Sequence, residues 1–150
     1  MQQLNLPEYA FKIKKVGGGK KQIFDAIRKK YVVLQPEEWV RQNFAQFLIQ
    51  DRKYSASLMV FEHSLKYNGR SKRGDIVLFG KDGKPKLIVE CKAPNVKIDE
   101  SVFDQAAQYN MKLQLDYMIV TNGMQHYCCK IDRLHQKYTF LREIPTAQDL

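Results

Sequence analysis

The chain has 150 residues, 44% of them hydrophobic and 27% charged, with 25 basic against 16 acidic side chains and a formal net charge of +9. These values fit one soluble domain over 1–150, able to bury roughly 68–70% of its unfolded surface, and exclude a disordered chain. With three cysteines and no apolar run near the ~20 residues of a membrane helix, they also exclude a disulfide scaffold and a spanning segment.

The charge excess calls for a polyanionic partner, nucleic acid before an anionic membrane. An N-terminus without the basic and apolar regions of a secretory signal, and cysteines in no paired spacing, lead to a cytoplasmic expectation.

In chain order, residues 9–15 and 21–33 read as strands around Gly17-Gly18-Gly19. This stretch holds Lys12, Lys14, Lys15, Lys20, Lys21, Arg28, Lys29 and Lys30 against Asp25 alone. Pro36-Glu37-Glu38 opens a helix running to about Gln50, since proline and acids both suit a first helical turn. Its buried stripe is Val40, Phe44, Phe47 and Leu48. Strands follow at about 58–67, 74–80 and 86–92, with a second basic stretch at Lys66, Arg70, Lys72 and Arg73. A helix over about 99–115 turns Val102, Phe103, Ala106 and Leu113 inward. Strands at 117–120 and 126–131 flank Thr121-Asn122-Gly123. The fold class is α/β, a central mixed β-sheet flanked by helices.

Asp/Glu-x-Lys occurs at Asp51-x-Lys53, Asp82-x-Lys84 and Glu90-x-Lys92, so the bare pattern says little. Only the last extends an apolar strand, Leu87-Ile88-Val89, where a charged pair is costly unless paired or functional. Strand alternation puts Glu90 and Lys92 on one face and Cys91, a core residue, on the other. Asp82-Gly83 signals a hairpin, and a two- or four-residue loop there pairs positions summing to 165. Asp75 then stands opposite Glu90, with Cβ atoms about 5 Å apart. Two facing carboxylates repel, and a Mg²⁺ or Mn²⁺ ion between them explains their placement. On that reading Asp75→Asn raises the melting temperature of the metal-free protein.

This combination resembles the PD-(D/E)XK nuclease superfamily, with its restriction-endonuclease-like core. It is most similar to the N-terminal nuclease domain of type I restriction endonuclease R subunits. The residues carrying the likeness run from about 25 to 132. They are Pro36-Glu37-Glu38-Trp39-Val40-Arg41, Arg73-Gly74-Asp75, Glu90-Cys91-Lys92-Ala93-Pro94, Gln105-Ala106-Ala107-Gln108-Tyr109 and Thr121-Asn122-Gly123. Gly74 stands where that superfamily often has proline. Gly17-Gly18-Gly19-Lys20-Lys21 is no phosphate loop, lacking the upstream glycine and the Ser/Thr after lysine, so either the domain acts alone or separate subunits supply the motor and the target recognition.

The resemblance implies a Mg²⁺-dependent (or Mn²⁺-dependent) endonuclease acting on double-stranded DNA. Asp75 and Glu90 hold the metal, with a backbone carbonyl near Cys91, and Lys92 orients water and stabilises developing charge. Helical phase selects Glu37 over Glu38 to complete the site, because Glu37 lines up with Val40, Phe44 and Leu48. Arg41, one turn on, pairs with Glu37 or touches a phosphate. Gln105 and Tyr109 position DNA by the same resemblance. His63, His126 and His135 are scattered and make no zinc site. The alternative reading is a non-catalytic nucleic-acid-binding module or an assembly subunit of a restriction or repair complex.

Overall fold

The computed structural model describes residues 1–150, apart from the side chains of Tyr67, Arg70, Ser71 and Lys72. Its first element is an antiparallel sheet of β1 (Ile13–Val16), β2 (Lys20–Asp25) and β3 (Lys30–Val33), in that order. Gly18 and Gly19, at φ 76° and 74°, supply the left-handed turn between β1 and β2. The single strand expected over 21–33 is broken in two. Asp25 Oδ1 accepts from the backbone N–H of Ile27 and of Arg28, each at 2.8 Å, and so closes a turn in the middle of it.

Pro36 begins α1 (Pro36–Gln46), which runs on through a wider turn over Phe47–Asp51, where Arg52 N–H reaches back to Phe47 O. The remaining strands are β4 (Met59–Tyr67), β5 (Arg70–Phe79), β6 (Pro85–Cys91), β7 (Tyr117–Thr121), β8 (His126–Asp132) and β9 (Lys137–Leu141). They lie side by side in chain order. Only β6 and β7 are parallel, and α2 (Glu100–Lys112) makes the crossover such a pair requires. The mixed sheet between helices is therefore the architecture observed. β9 is the strand that apolar patterning does not reveal: it joins β8 through the main chain while Phe140 stays 51% exposed.

Alternation along the central strands divides the core into two layers. Ile76, Leu78, Leu87, Val89 and Cys91 pack with Val40, Phe44 and Leu48 of the α1 segment. Val77, Ile88, Met118 and Val120 pack with Phe103, Ala106 and Ala107 of α2. Each Val, Leu, Ile, Met or Phe among them, fully buried, contributes about 1.5–3 kcal/mol. Gly74 is needed where it stands, since a Cβ there would lie 2.7 Å from side-chain atoms of both Ile88 and Val77. Gly123 combines φ 85° with a Cβ position 2.8 Å from Leu4, and so admits the N-terminal segment against the sheet end.

That segment is held by polar contacts as well. Asn5 N–H donates to Gly123 O at 2.9 Å, and Trp39 Nε1–H donates to Gln2 O at 2.7 Å. Thr121 Oγ1 accepts from Gly123 N–H and lies 2.7 Å from His126 Nδ1, while His126 Nε2 lies 2.9 Å from Asn5 O. The arrangement suits a neutral ring that donates from Nε2 and accepts at Nδ1. Burial holds His126 below its ordinary range, against the opposing pull of the Asn5 carbonyl. The unfolded state therefore binds the proton more readily, and stability is full above the unfolded value of about 6.5. Acidification through that value should lower the melting temperature progressively, down to the depressed folded value. Thermal scans of wild type and His126→Gln across this window check it: the variant should lose part of the slope, and identical slopes would remove His126 as its source.

Candidate active site

The β5–β6 hairpin sets the geometry. Ile76 pairs with Val89, Val77 with Ile88 and Leu78 with Leu87, so positions sum to 165. At the tip the pairing is Phe79 with Pro85, Gly80 N–H donates to Lys84 O at 2.8 Å, and Gly83 adopts φ 79°. The loop is thus a three-residue turn closed by a left-handed glycine, not the two- or four-residue loop expected. One extra residue on β6, Lys86, forms a bulge that restores the register. The paired register ends at Ile76 and Val89, the neighbours of Asp75 and Glu90.

Asp75 is not left bare there. Its Oδ2 accepts from the backbone N–H of Cys91 at 2.7 Å, and its Oδ1 lies 3.3 Å from Arg41 Nη2. The carboxylate is thereby fastened to β6 at the residue between Glu90 and Lys92. Repulsion between facing acids is not what dominates its surroundings, and the stability expectation drawn from repulsion is reversed. Glu90 is half-buried, and alternation puts it with Ile88 on the α2 side. The backbone N–H of Lys92 donates to Thr121 O at 2.8 Å, which fixes this residue at the carboxyl ends of the parallel pair. Asn122 braces the chain leaving β6 by donating to Val96 O, and its Oδ1 accepts from Met124 and Gln125 N–H.

A charge network backs the hairpin. Arg41 ion-pairs with Glu38 at 3.3 Å and Glu62 at 3.5 Å besides Asp75, and its side chain is 6% exposed. Arg28 bridges Asp25, Glu38 at 2.9 Å and Glu62 at 3.1 Å. Burial opposes the Arg28 charge, but Asp25 and Glu38 outweigh it and hold its pKa above the ordinary range. Glu62 adopts φ 53°, at the point where the β4–β5 ladder skips from Phe61–Ile76 to His63–Gly74, opposite Asp75. Such a conformation costs on the order of 1–3 kcal/mol in a non-glycine residue, and its partners Arg28, Arg41 and Arg73 offset that cost.

Two expectations are corrected here. Glu37 is exposed, and Glu38 is the residue turned into the network. Arg41 pairs with Glu38 and Asp75 and not with Glu37. Helical phase selects a residue only where one helix face is buried. The Asp25–Arg28 turn covers a second face of α1, so Val40 through Ala45 are all buried. Glu38, Glu62, Arg28 and Asp25 were missed as site neighbours. Only the i, i+3 spacing of Glu38 and Arg41 hinted at them.

Gln105 is exposed on α2, and Tyr109 is half-buried against the α2-side core. Lys12, Lys14, Lys20, Lys21, Lys29 and Lys30 are all exposed. Lys66 and Arg73 are exposed too, and Arg73 pairs with Glu62 at 3.1 Å, while the side chains of Arg70 and Lys72 lie outside the described residues. Burial first, then the Asp75 charge, push the Cys91 thiol far above its ordinary range, in keeping with a core role. Among the described residues no three His, Cys, Asp or Glu side chains form a ready metal cage. A groove lined by Asp116, Lys130 and Arg133 lies at the opposite end of β7 from Lys92.

A family model described as the type I restriction enzyme R protein N terminus matches residues 36–145, from the start of α1 to beyond β9. The chain belongs to this family. Asp75, Glu90, Lys92, Gln105 and Tyr109 all fall inside the matched span, and the three-stranded sheet falls before it. Among solved structures, a fragment assigned to the HsdR subunit of a type I restriction enzyme from Vibrio vulnificus YJ016 is similar. It is 20% identical, with a TM-score of 0.49, over 73% of this chain and 24% of that one. This chain thus spans about a quarter of that relative's length. No curated protein matches. No helix is long and apolar enough to cross a membrane among the described residues.

Proposed function

We propose that residues 1–150 act as one metal-dependent DNA endonuclease domain of the PD-(D/E)XK kind, hydrolysing phosphodiester bonds in double-stranded DNA within a restriction system. The observation that carries this reading is the Asp75 carboxylate bound to the backbone of β6 between Glu90 and Lys92. It supports one site made of two acids and a lysine on adjoining strands.

The donor set fits Mg²⁺ or Mn²⁺. These ions take one or two carboxylates and keep several waters, so a three-residue cage is not required. Each Asp75 oxygen accepts one bond from the protein and keeps a second lone pair. Asp75 and Glu90 would hold the ion, with a main-chain carbonyl near Cys91. When bound, the metal polarises the phosphate and makes water more acidic. Lys92 supplies fixed positive charge where the phosphoryl oxygens gain negative charge, and orients the attacking water. Arg41, locked by Glu38 and Glu62, holds Asp75 in place. Gln105 and Tyr109 border the site from α2 and position the duplex, and motor or specificity functions belong to separate subunits.

The bonds from Arg41 and Cys91 to Asp75 favour one other reading, a binding or assembly module in which this acid is structural. Plasmid nicking separates the two. Cleavage is expected with Mn²⁺ and absent in EDTA, and a protein that binds plasmid but never nicks it under Mn²⁺ would leave the binding module standing.

A further inference from the structure

The outer face of the three-stranded sheet plays no part in the carboxylate site. In β2, Ile23 and Asp25 are fully buried, so that face lies against the protein and the alternate residues face out. Directly opposed residues share a face, and the pairs Phe24–Tyr31, Gln22–Val33 and Lys14–Gln22 therefore assemble one surface. Lys12 joins it by accepting the Phe24 N–H at its carbonyl. Phe24 and Tyr31 meet edge to face, with centroids 5.2 Å apart. Lys14 Nζ lies 4.1 Å from the Tyr31 ring centre and Lys12 Nζ 5.9 Å from that of Phe24. Tyr31 and Val33 are 36% and 50% exposed. Among the described residues this face carries no carboxylate, because Asp25 points to the opposite side and is neutralised by Arg28.

We infer that this face binds single-stranded nucleic acid, with Tyr31 and Phe24 as stacking surfaces and Lys12, Lys14 and Lys20 on the phosphates. Charge complementarity selects a polyanion, and the aromatic pair selects one with unpaired bases. A duplex could use only the lysines, since its base faces are covered by their neighbours. Base–aromatic stacking with a basic track is the general chemistry of single-strand binding. The inference goes beyond the nuclease reading and does not depend on it. The sheet lies before Pro36, where the family match begins.

The test is fluorescence anisotropy in EDTA with short oligo-dT, an abasic oligonucleotide of equal length and a duplex. Wild type should prefer oligo-dT to both other probes. Tyr31→Leu, which keeps an apolar side chain at an exposed position, should weaken oligo-dT binding by about 5- to 150-fold and leave abasic binding unchanged. Lys14→Gln should weaken both single strands and flatten their salt dependence by about 0.7 log units per tenfold salt. Far-UV circular dichroism of each variant verifies the fold. Equal affinity for all three probes, no loss in Tyr31→Leu, or no binding of oligo-dT overturns the inference. Plasmid nicking in Mn²⁺ is scored separately, so a failure of cleavage leaves the oligo-dT result standing and a loss of oligo-dT binding leaves the cleavage result standing.

Discussion

Lys92→Met is expected to slow single-turnover DNA cleavage by about 10²–10³-fold, the usual cost of removing one group that stabilises charge developing in the transition state. Its melting temperature should stay within about 1–2 °C of wild type, because half-buried substitutions that keep their packing change stability by about 0.5 kcal/mol or less. The strand position depends on the main chain, where Lys92 N–H donates to Thr121 O at 2.8 Å, and not on the ammonium group. Methionine retains most of the apolar stem and removes only the charge. Stabilisation by Mn²⁺ should persist, since lysine holds no metal. A variant cleaving at the wild-type rate would remove Lys92 from the mechanism, whereas a collapse in melting temperature would make its role structural.

Asp75→Ala should lower the melting temperature of the metal-free protein. It strands the Cys91 N–H, previously bonded at 2.7 Å, and takes one partner from Arg41, whose side chain is 6% exposed. Hydrogen bonds to a charged group contribute about 1.5–3 kcal/mol, which for a domain of this size corresponds to a drop of about 3–12 °C. Asp75→Asn should fall by less, because its amide oxygen still accepts from Cys91 while the charge facing Arg41 is gone. Both should lose any stabilisation by Mn²⁺, which binds the native state by mass action. In combination with Arg41→Met the effects should be less than additive, as expected for side chains in direct contact. A rise in the melting temperature of Asp75→Asn in EDTA would show instead that repulsion from Glu90 outweighs the bonds to Arg41 and Cys91.

The apolar alternation of Ile76-Val77-Leu78 and Leu87-Ile88-Val89 and the Asp82-Gly83 turn were enough to set the pairing of Ile76 with Val89, Val77 with Ile88 and Leu78 with Leu87 from sequence alone. These are local signals: side-chain period, turn chemistry, and proline or acids at a helix start. The same kind of signal located α1, α2 and the strands β4, β6, β7 and β8 near their observed limits, whereas β1 starts four residues later and β5 four residues earlier than expected. It did not reveal that the hairpin loop has three residues, because the bulge at Lys86 compensates the change in loop length. It did not break the strand over 21–33 either, since nothing in the run's composition marks Asp25 as an acceptor for two backbone donors rather than a strand residue.

What only the tertiary structure decided is the surroundings of Asp75. The choice of Glu38 over Glu37, the burial of Arg41 and the meeting of Arg28 with Glu62 join parts of the chain 10 to 34 residues apart. No helical or strand period encodes such a meeting. It depends on how the β2–β3 turn docks on α1 and where β4 departs from regular pairing at Glu62. Periodicity reports which face of an element is apolar, and a helix covered on two sides has no single inward face to report. The type and place of the elements follow from short-range chemistry, whereas the partners of a charged side chain follow from packing.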